Sequence, residues 1–452
     1  MMKQQTYSEY KESGVKWLGQ VPGHWNAVSL KWISQRYSGG TPDKSNDAYW
    51  ENGDIPWLNS GSVNDGYITE PSTYITREGF ASSSAKWIPT NALVMALAGQ
   101  GKTKGMVAQL GIRATCNQSM AAIIPKEKFT PRFLYWWLVS NYQNIRNMAG
   151  GEQRDGLNLD MLGSIPCPQL PLPEQTAIAD FLDRETGRID ILMAKKRQLI
   201  ALLKDKRSAL ISRIVTRGLP EAIAGEFGLE PHTRFKDSGI EWLGQVPEEW
   251  DVLPFTKYVG EKSDYRGKTP EKTDDGIFLV TAKNVRMGFI DYETSKEYVA
   301  KEDYDEIMRR GLPKLGDILF TTEAPLGNVA LVDDENVAMA QRIIRFRMRP
   351  KRFESKFTLY GMMSDHFQNQ LKSLSTGSTA EGLKASKLTI LRLICPPLPE
   401  QTAIAAYLDR ETAKLDRLVE KVDAAIVCLQ EYRTALITAA VTGKIDVREV
   451  VV

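Results

Sequence analysis

The stretch Pro171-Leu-Pro-Glu-Gln-Thr-Ala-Ile-Ala179 returns at Pro397, and of the twenty positions from Pro171 to Asp190 fifteen are repeated 226 places later. The chain has 452 residues, so the offset is half its length. A fixed long period decides how many folded units a chain makes, and it outranks any local motif. The sequence is therefore one unit written twice, each copy closed by a proline-led helix.

Each copy also opens alike. Ser13 to Trp25 and Ser238 to Trp250 share the order Trp-Leu-Gly-Gln-Val-Pro-x-x-Trp. Gly19 and Pro22, like Gly244 and Pro247, mark a turn, and Trp17, Leu18, Val21 and Trp25 are the apolar anchors around it. Between opening and closing signatures, short apolar runs alternate with Gly, Asn, Asp and Pro clusters. Gly53–Gly61, Asn91–Ala98 and Thr115–Ile124 read as strands, with Gly276–Thr281, Gly316–Thr322 and Val337–Phe346 as counterparts. Phe133–Val139 and Phe357–Met363 have helical spacing. Each copy thus holds a mixed domain of roughly 150 residues. The middles diverge, keeping only landmarks such as Thr41-Pro42 with Thr269-Pro270, Gln118 with Gln341, and Gly156-Leu157 with Gly382-Leu383.

Pro173 suits a first helical position and Gly218 a stop. Between them Ile178, Leu182, Ile189, Leu192, Leu199, Leu203 and Leu210 lie on a seam of alternating four and three, together with Glu185, Lys196 and Lys206. The twin seam is Ile404, Leu408, Leu415, Leu418, Val422, Leu429 and Leu436, together with Glu411, Ala425 and Tyr432, with Gly443 as its stop. This is coiled-coil spacing, and about 40 residues make a rod of roughly 60 Å. The first helix delivers the chain to the second domain, where the second helix begins, so a pair of such helices runs antiparallel. The expected fold class is α+β: two mixed α/β globular domains joined by two long helices in an antiparallel coiled coil, with pseudo-two-fold symmetry. The expected divisions are 1–170, 171–218, 219–396, 397–445 and a tail 446–452, with Leu219 to Thr233 as a linker into copy two.

Hydrophobic content of 42% and charged content of 25% are those of a soluble globular protein. No run of about 18 apolar residues stands out, so the expected compartment is the cytoplasm, without a membrane. A net charge of +2 leaves the partner open. Cys116, Cys167, Cys395 and Cys428 are far apart and form no ligand spacing with His24, His232 and His366, so they read as buried thiols, and no metal is expected. Ala96 to Thr103 ends like a phosphate-binding loop but starts with Ala96 rather than Gly, and reads as a basic surface loop. No G-x-S-x-G, H-E-x-x-H or dinucleotide fingerprint appears, nor the Asn/Asp-Pro-Pro-Tyr/Phe stretch expected of an amino-methylating enzyme.

What remains are polar and basic loops in the divergent middles. Arg, Lys, Asn and Gln are the side chains that read base edges, and Gly-rich loops let the backbone approach phosphates. A solvated loop looks the same, so on that chemistry DNA contact is one open reading of Thr41, Lys44, Asn59, Lys102, Lys104, Gln118 and Arg154 in copy one. In copy two the same reading covers Arg266, Lys268, Lys283, Asn284, Arg286 and Arg342.

The duplicated design resembles the specificity subunit of type I restriction-modification systems. The resemblance rests on both Trp-Leu-Gly-x-Val-Pro-x-x-Trp openings, on Ile55-Pro-Trp57 and Asn117-Gln118, and on Leu-Pro-Glu-Gln-x-x-Ile-Ala at both helix starts. It covers essentially the whole chain. It implies a subunit without catalysis of its own, whose two middles are target recognition domains, each reading one half of a bipartite, asymmetric double-stranded DNA site. It further implies helices that act as spacer and docking platform for two modification subunits, which methylate adenine. S-adenosylmethionine and ATP are then cofactors of the partners, with two restriction subunits joining, and none is expected on this chain. The competing readings are a scaffold bridging two protein partners and a DNA-modifying enzyme with an unrecognised site.

Overall fold

A computed structural model describes residues 6–15, 17–99, 101–149, 156–240, 243–265, 270–340, 342–375 and 382–448. The chain forms two compact units, residues 1–196 with 424–452, and residues 197–423. Each unit therefore takes part of both long helices, Leu172–Arg217 and Leu398–Val441.

In unit 1 the opening signature is a hairpin of β1 (Tyr10–Glu12) and β2 (Gln20–Pro22), followed by β3 (Asn26–Ser29). Next come β4 (Ser34–Ser38), β5 (Ile55–Leu58), β6 (Tyr67–Ile68), β7 (Thr73–Ile75), β8 (Leu93–Ala96), β9 (Val107–Leu110), β10 (Thr115–Cys116), β11 (Met120–Pro125) and β12 (Pro166–Gln169). They make a five-stranded sheet in the order β4-β11-β8-β9-β6, a three-stranded sheet β10-β5-β7 and a pair β12-β3. Strand β8 is buried throughout, which is why Leu93–Ala96 reads as an unbroken apolar run rather than an alternation.

Unit 2 repeats this plan although its middle shares little sequence. Its strands are β13 (Phe235–Asp237), β14 (Gln245–Pro247), β15 (Asp251–Pro254), β16 (Val259–Asp264), β17 (Ile277–Val280), β18 (Tyr298–Val299), β19 (Ile318–Thr321), β20 (Val329–Leu331), β21 (Val337–Met339), β22 (Ile343–Met348) and β23 (Arg392–Cys395). Their orders, β16-β22-β19-β20, β18-β17-β21 and β15-β23, match those of unit 1 strand for strand except for the edge strand β6. In both units the three-stranded sheet holds one parallel pair, β5 with β10 and β17 with β21.

Two runs expected as single strands are each broken. Thr115–Ile124 splits at Asn117–Ser119, and Val337–Phe346 splits between Met339 and Ile343, with Arg342 in the break. In the first break the Asn117 side chain accepts from the Ser119 N–H at 3.1 Å, a local turn that competes with the ladder.

The closing motif explains how each opening signature is held. Glu174, 4% exposed, accepts hydrogen bonds from Tyr7 Oη at 2.6 Å and Trp25 Nε1 at 3.0 Å, and meets His24 Nε2 at 2.8 Å. Its repeat Glu400 accepts from Trp250 Nε1 at 2.9 Å and meets His232 Nε2, from the expected linker, at 2.6 Å. Gln175 and Gln401, fully buried, fasten the neighbouring loop instead. Gln175 donates to the carbonyls of Lys128 and Leu170 and accepts from the Thr130 N–H, and Gln401 treats Arg352, Pro396 and Glu354 in the same way.

Within each unit the two long helices run in opposite directions. In unit 1 Glu174 and Gly443 both lie against Trp25, while Asp190 pairs with Arg433 at 3.0 Å. In unit 2 Gly218 lies beside Glu400, while Arg207 pairs with Asp416 at 3.0 Å. Gly218 and Gly443 end the helices at φ +82° and +71°, where a Cβ is strained.

The helix phase departs from the expected seam. Ile178, Leu182, Ile189, Ile404, Leu408, Leu415 and Leu436 are buried, and Leu203, Leu210, Val422 and Leu429 are half-buried. Leu192, Leu199 and Leu418, however, are 44%, 44% and 47% exposed, and the covered positions are their neighbours Met193, Ile200 and Val419. Adjacent helical positions are about 100° apart, so only one of each apolar pair can face inward. Lys196 is half-buried, whereas Lys206 and Tyr432 are exposed.

By length and composition alone the helix Leu398–Val441 is apolar enough to cross a membrane over one 18-residue window of mean hydropathy 1.2. Its Ile426, Leu436, Ile437, Ala440 and Val441 are buried in unit 1, although only 28% of that window is buried.

Candidate nucleic-acid interface

A parallel strand pair puts the carboxyl ends of both strands at the same end of the sheet, so the loops that follow them become neighbours. In unit 1 the pair is Trp57 with Thr115 and Leu58 with Cys116, and the Asn117 N–H continues it to Leu58 O at 3.0 Å. The loop after β4 joins through Gly39 N–H to Met120 O at 3.3 Å, the bond that Tyr265 and Ile343 repeat in unit 2, and through Gly40 N–H to Cys116 O at 2.9 Å; the loop after β8 joins through Leu97 N–H to Ser119 O at 2.8 Å. A Cβ on Gly39 would stand 1.9 Å from Cys116 O, so this convergence requires glycine.

Unit 2 builds the same corner. Ala340 N–H donates to Val280 O at 3.1 Å, Tyr265 N–H to Ile343 O at 3.1 Å and Thr322 N–H to Arg342 O at 2.9 Å. Both breaks in the expected strands, at Asn117–Ser119 and between Met339 and Ile343, lie at these corners.

In unit 1 Thr41 and Gln118 meet at the corner, the threonine hydroxyl donating to Gln118 Oε1. Lys44 is exposed on the same loop, beside Asp43, whose carboxyl is held below its ordinary range by the backbone N–H and hydroxyl of Ser45. The same loop carries Trp50, edge-on to Trp57 at 5.1 Å, a ring that the sequence reading passed over. Asn59 is exposed and accepts from the Gly61 N–H at 2.8 Å. Lys102 is exposed, its carbonyl held by the Tyr142 hydroxyl. Lys104 is 4% exposed, so it is part of the interior and not a surface cation. Arg154 lies outside the described residues.

In unit 2 Lys283 and Arg342 come together around a cleft of about 400 Å³ that is also lined by Lys272, Thr281, Glu297 and Ala324. Lys272 pairs with Glu297 at 2.7 Å. Burial works to raise the Glu297 carboxyl, but the hydrogen bond and charge of Lys272 prevail and hold it below its ordinary value. Lys272 was missed by sequence reading, because Glu271–Asp275 is a mixed charge run that looks like any solvated loop. Arg286 is half-buried, donating to Thr294 Oγ1 at 3.0 Å and lying 3.5 Å from Asp291.

Asn284 is a correction. It is fully buried, its Oδ1 accepts from the Thr281 N–H at 3.0 Å, and its Nδ2 donates to the carbonyls of Asp291 and Ser295, each at 2.9 Å. A side chain satisfied in this way shapes the loop and has nothing left for a base edge. Arg266 and Lys268 lie outside the described residues.

Among the described residues no cluster of three His, Cys, Asp or Glu could hold a metal ion. Cys116, Cys167 and Cys395 are buried, and burial pushes the Cys116 thiol up to about 12. Cys428, expected to be buried, is exposed on the second long helix.

The chain matches the family described as "Type I restriction modification DNA specificity domain" over residues 22–201 and 267–426. It is 25% identical over 448 residues to the type I restriction enzyme MjaVIII specificity subunit of Methanocaldococcus jannaschii, covering 97% of each chain. It is 20% identical over 441 residues to the EcoKI specificity subunit of Escherichia coli K12, covering 94% of this chain and 90% of that one. Among solved structures, a chain from work on complex assembly and conformational transition of the type I R-M system superposes with TM-score 0.63 at 16% identity, over 93% of this chain and 98% of its own. The HsdS subunit of Thermoanaerobacter tengcongensis superposes with TM-score 0.50 at 15% identity, over 94% and 98%.

Proposed function

Because the chain belongs to the type I restriction-modification DNA specificity family, we propose that it is the non-catalytic recognition subunit of such a complex, each unit reading one half of a bipartite, asymmetric double-stranded DNA site. One observation carries the reading: both units converge the same loops through matching backbone hydrogen bonds, yet present unlike side chains at matching positions there, Ala98 and Ser119 in one and Glu323 and Arg342 in the other. A shared frame with different side chains is what two different half-sites at a fixed separation require.

The long helices are the spacer, an antiparallel coiled coil, and their outer faces seat two modification subunits. Ile191 and Leu192 of unit 1 are 60% and 44% exposed, and Leu199 and Leu202 of unit 2 are 44% and 58% exposed. Leu418 is the repeat of Leu192 and is 47% exposed. Exposed apolar side chains on a helix suit a helical partner. S-adenosylmethionine and ATP belong to the modification and restriction subunits, and two restriction subunits complete the assembly in the cytoplasm.

The test is to map methylated adenines in DNA from cells carrying this chain and its modification subunit, then measure binding of the purified complex. Expected is tight, salt-dependent binding to the mapped site over random duplex. Equal affinity for both would overturn the reading.

A further inference from the structure

We infer that Arg342 reads a guanine in the half-site faced by unit 2, and that Glu323 positions it to do so; this rests on the DNA-recognition reading above. The two residues form an ion pair, Arg342 Nε to Glu323 Oε1 at 3.1 Å, with both side chains about half exposed, at 49% and 47%. An exposed pair of this kind contributes little to folding. A guanidinium held at Nε still has terminal amino groups to offer, and two parallel donors match the O6 and N7 acceptors of guanine in the major groove.

Unit 1 serves as an internal control. Its corresponding rung is Leu97 N–H to Ser119 O, continued by Leu157 N–H to Leu97 O, where unit 2 has Thr322 N–H to Arg342 O and Leu383 N–H to Thr322 O. The matching positions are thus Ser119 for Arg342 and Ala98 for Glu323. The corner forms there without any charge, so the fold does not need the pair.

Arg342 also carries backbone strain, at φ +69°, a region an arginine seldom adopts. Such strain concentrates where a side chain must be aimed. The Glu323 backbone is anchored by a bridge to Gly382, and the adjoining cleft is lined by Lys283 and by Lys272 paired with Glu297, a surround of net positive charge that suits the phosphates flanking a read base.

The experiment uses the full chain assembled with its modification subunits and a pool of randomised duplexes, with the retained DNA sequenced. The parent complex is expected to hold one half-site with an invariant G·C pair. Arg342→Gln is expected to move that single pair toward A·T, with loss of roughly ten- to hundred-fold discrimination for guanine and no change in the other half-site. Glu323→Gln is expected to weaken discrimination at the same pair while leaving binding to random duplex unchanged, which a merely structural role would not do. An unaltered half-site in Arg342→Gln, or equal loss in both half-sites, would overturn the assignment. A parent complex that enriches no sequence would overturn the DNA-recognition reading itself, and this inference with it.

Discussion

The indole N–H of Trp25 donates to Glu174 at 3.0 Å, across 149 residues, and so ties the opening signature of unit 1 to its closing helix. Trp250 and Glu400 repeat the bond at 2.9 Å across 150. The two most strongly repeated stretches of the sequence therefore recur together because they touch. Each unit is closed by its own pair.

Glu174→Gln is expected to destabilise unit 1 by about 1–3 kcal/mol, since it leaves the buried Tyr7 and Trp25 donors facing a weaker acceptor. Chemical denaturation of the full chain measures it. Glu400→Gln is expected to have a similar effect on unit 2, and a change smaller than 0.3 kcal/mol in both, set against the ~1 kcal/mol of a single bond, would show that these carboxylates are not the ties described.

Arg345 is fully buried and paired with Asp317, 2% exposed, at 2.7 Å, while Glu261 bridges Arg345 and Arg347. Removing one partner of a buried pair costs about 3–5 kcal/mol, so Asp317→Ala is expected to unfold unit 2 at markedly lower denaturant. The Glu261 carboxyl is held below its ordinary 4.5, chiefly by the hydrogen bond from Arg345. A group depressed in the folded state stabilises above its unfolded value, and that contribution is lost as pH falls through the lower folded value. Stability of unit 2 should therefore decline below pH 4.5, and less steeply in Glu261→Gln, as followed by denaturation across that range.

Lys283 and Asn284 are adjacent in sequence but are expected to respond differently. Lys283→Ala should leave the melting temperature unchanged and lower the salt dependence of DNA binding by about one counterion. Asn284→Ala should cost about 1–3 kcal/mol of stability, because it strands buried carbonyls and a threonine. The reverse pattern in thermal melts and binding titrations would mean the loop is misread.

The observed helix phase separates Leu192 from Met193. Met193, 6% exposed, should cost about 2–5 kcal/mol on change to alanine. Leu192→Ala should cost little stability and should instead weaken capture of the modification subunit, measured by sedimentation of the mixed subunits. Equal stability losses would restore the seam expected from spacing alone.

The sequence by itself determined the duplication, the mixed α/β content of each copy, and the long helices to within a few residues of their ends. Those features are local: proline and glycine fix helix ends by backbone geometry, and apolar periodicity is written in consecutive residues. Tertiary structure alone decided the rest. Whether Leu192 or Met193 faces inward depends on a partner helix more than two hundred residues away. That Asn284 and Lys104 are interior depends on loops folding over them, since a polar residue in a turn looks the same whether solvated or enclosed. The candidate interface was least legible, because it arises from parallel pairing of Trp57 with Thr115 and of Val280 with Met339. Such pairing joins strands more than fifty residues apart, and no local pattern encodes which distant carboxyl ends will stand side by side.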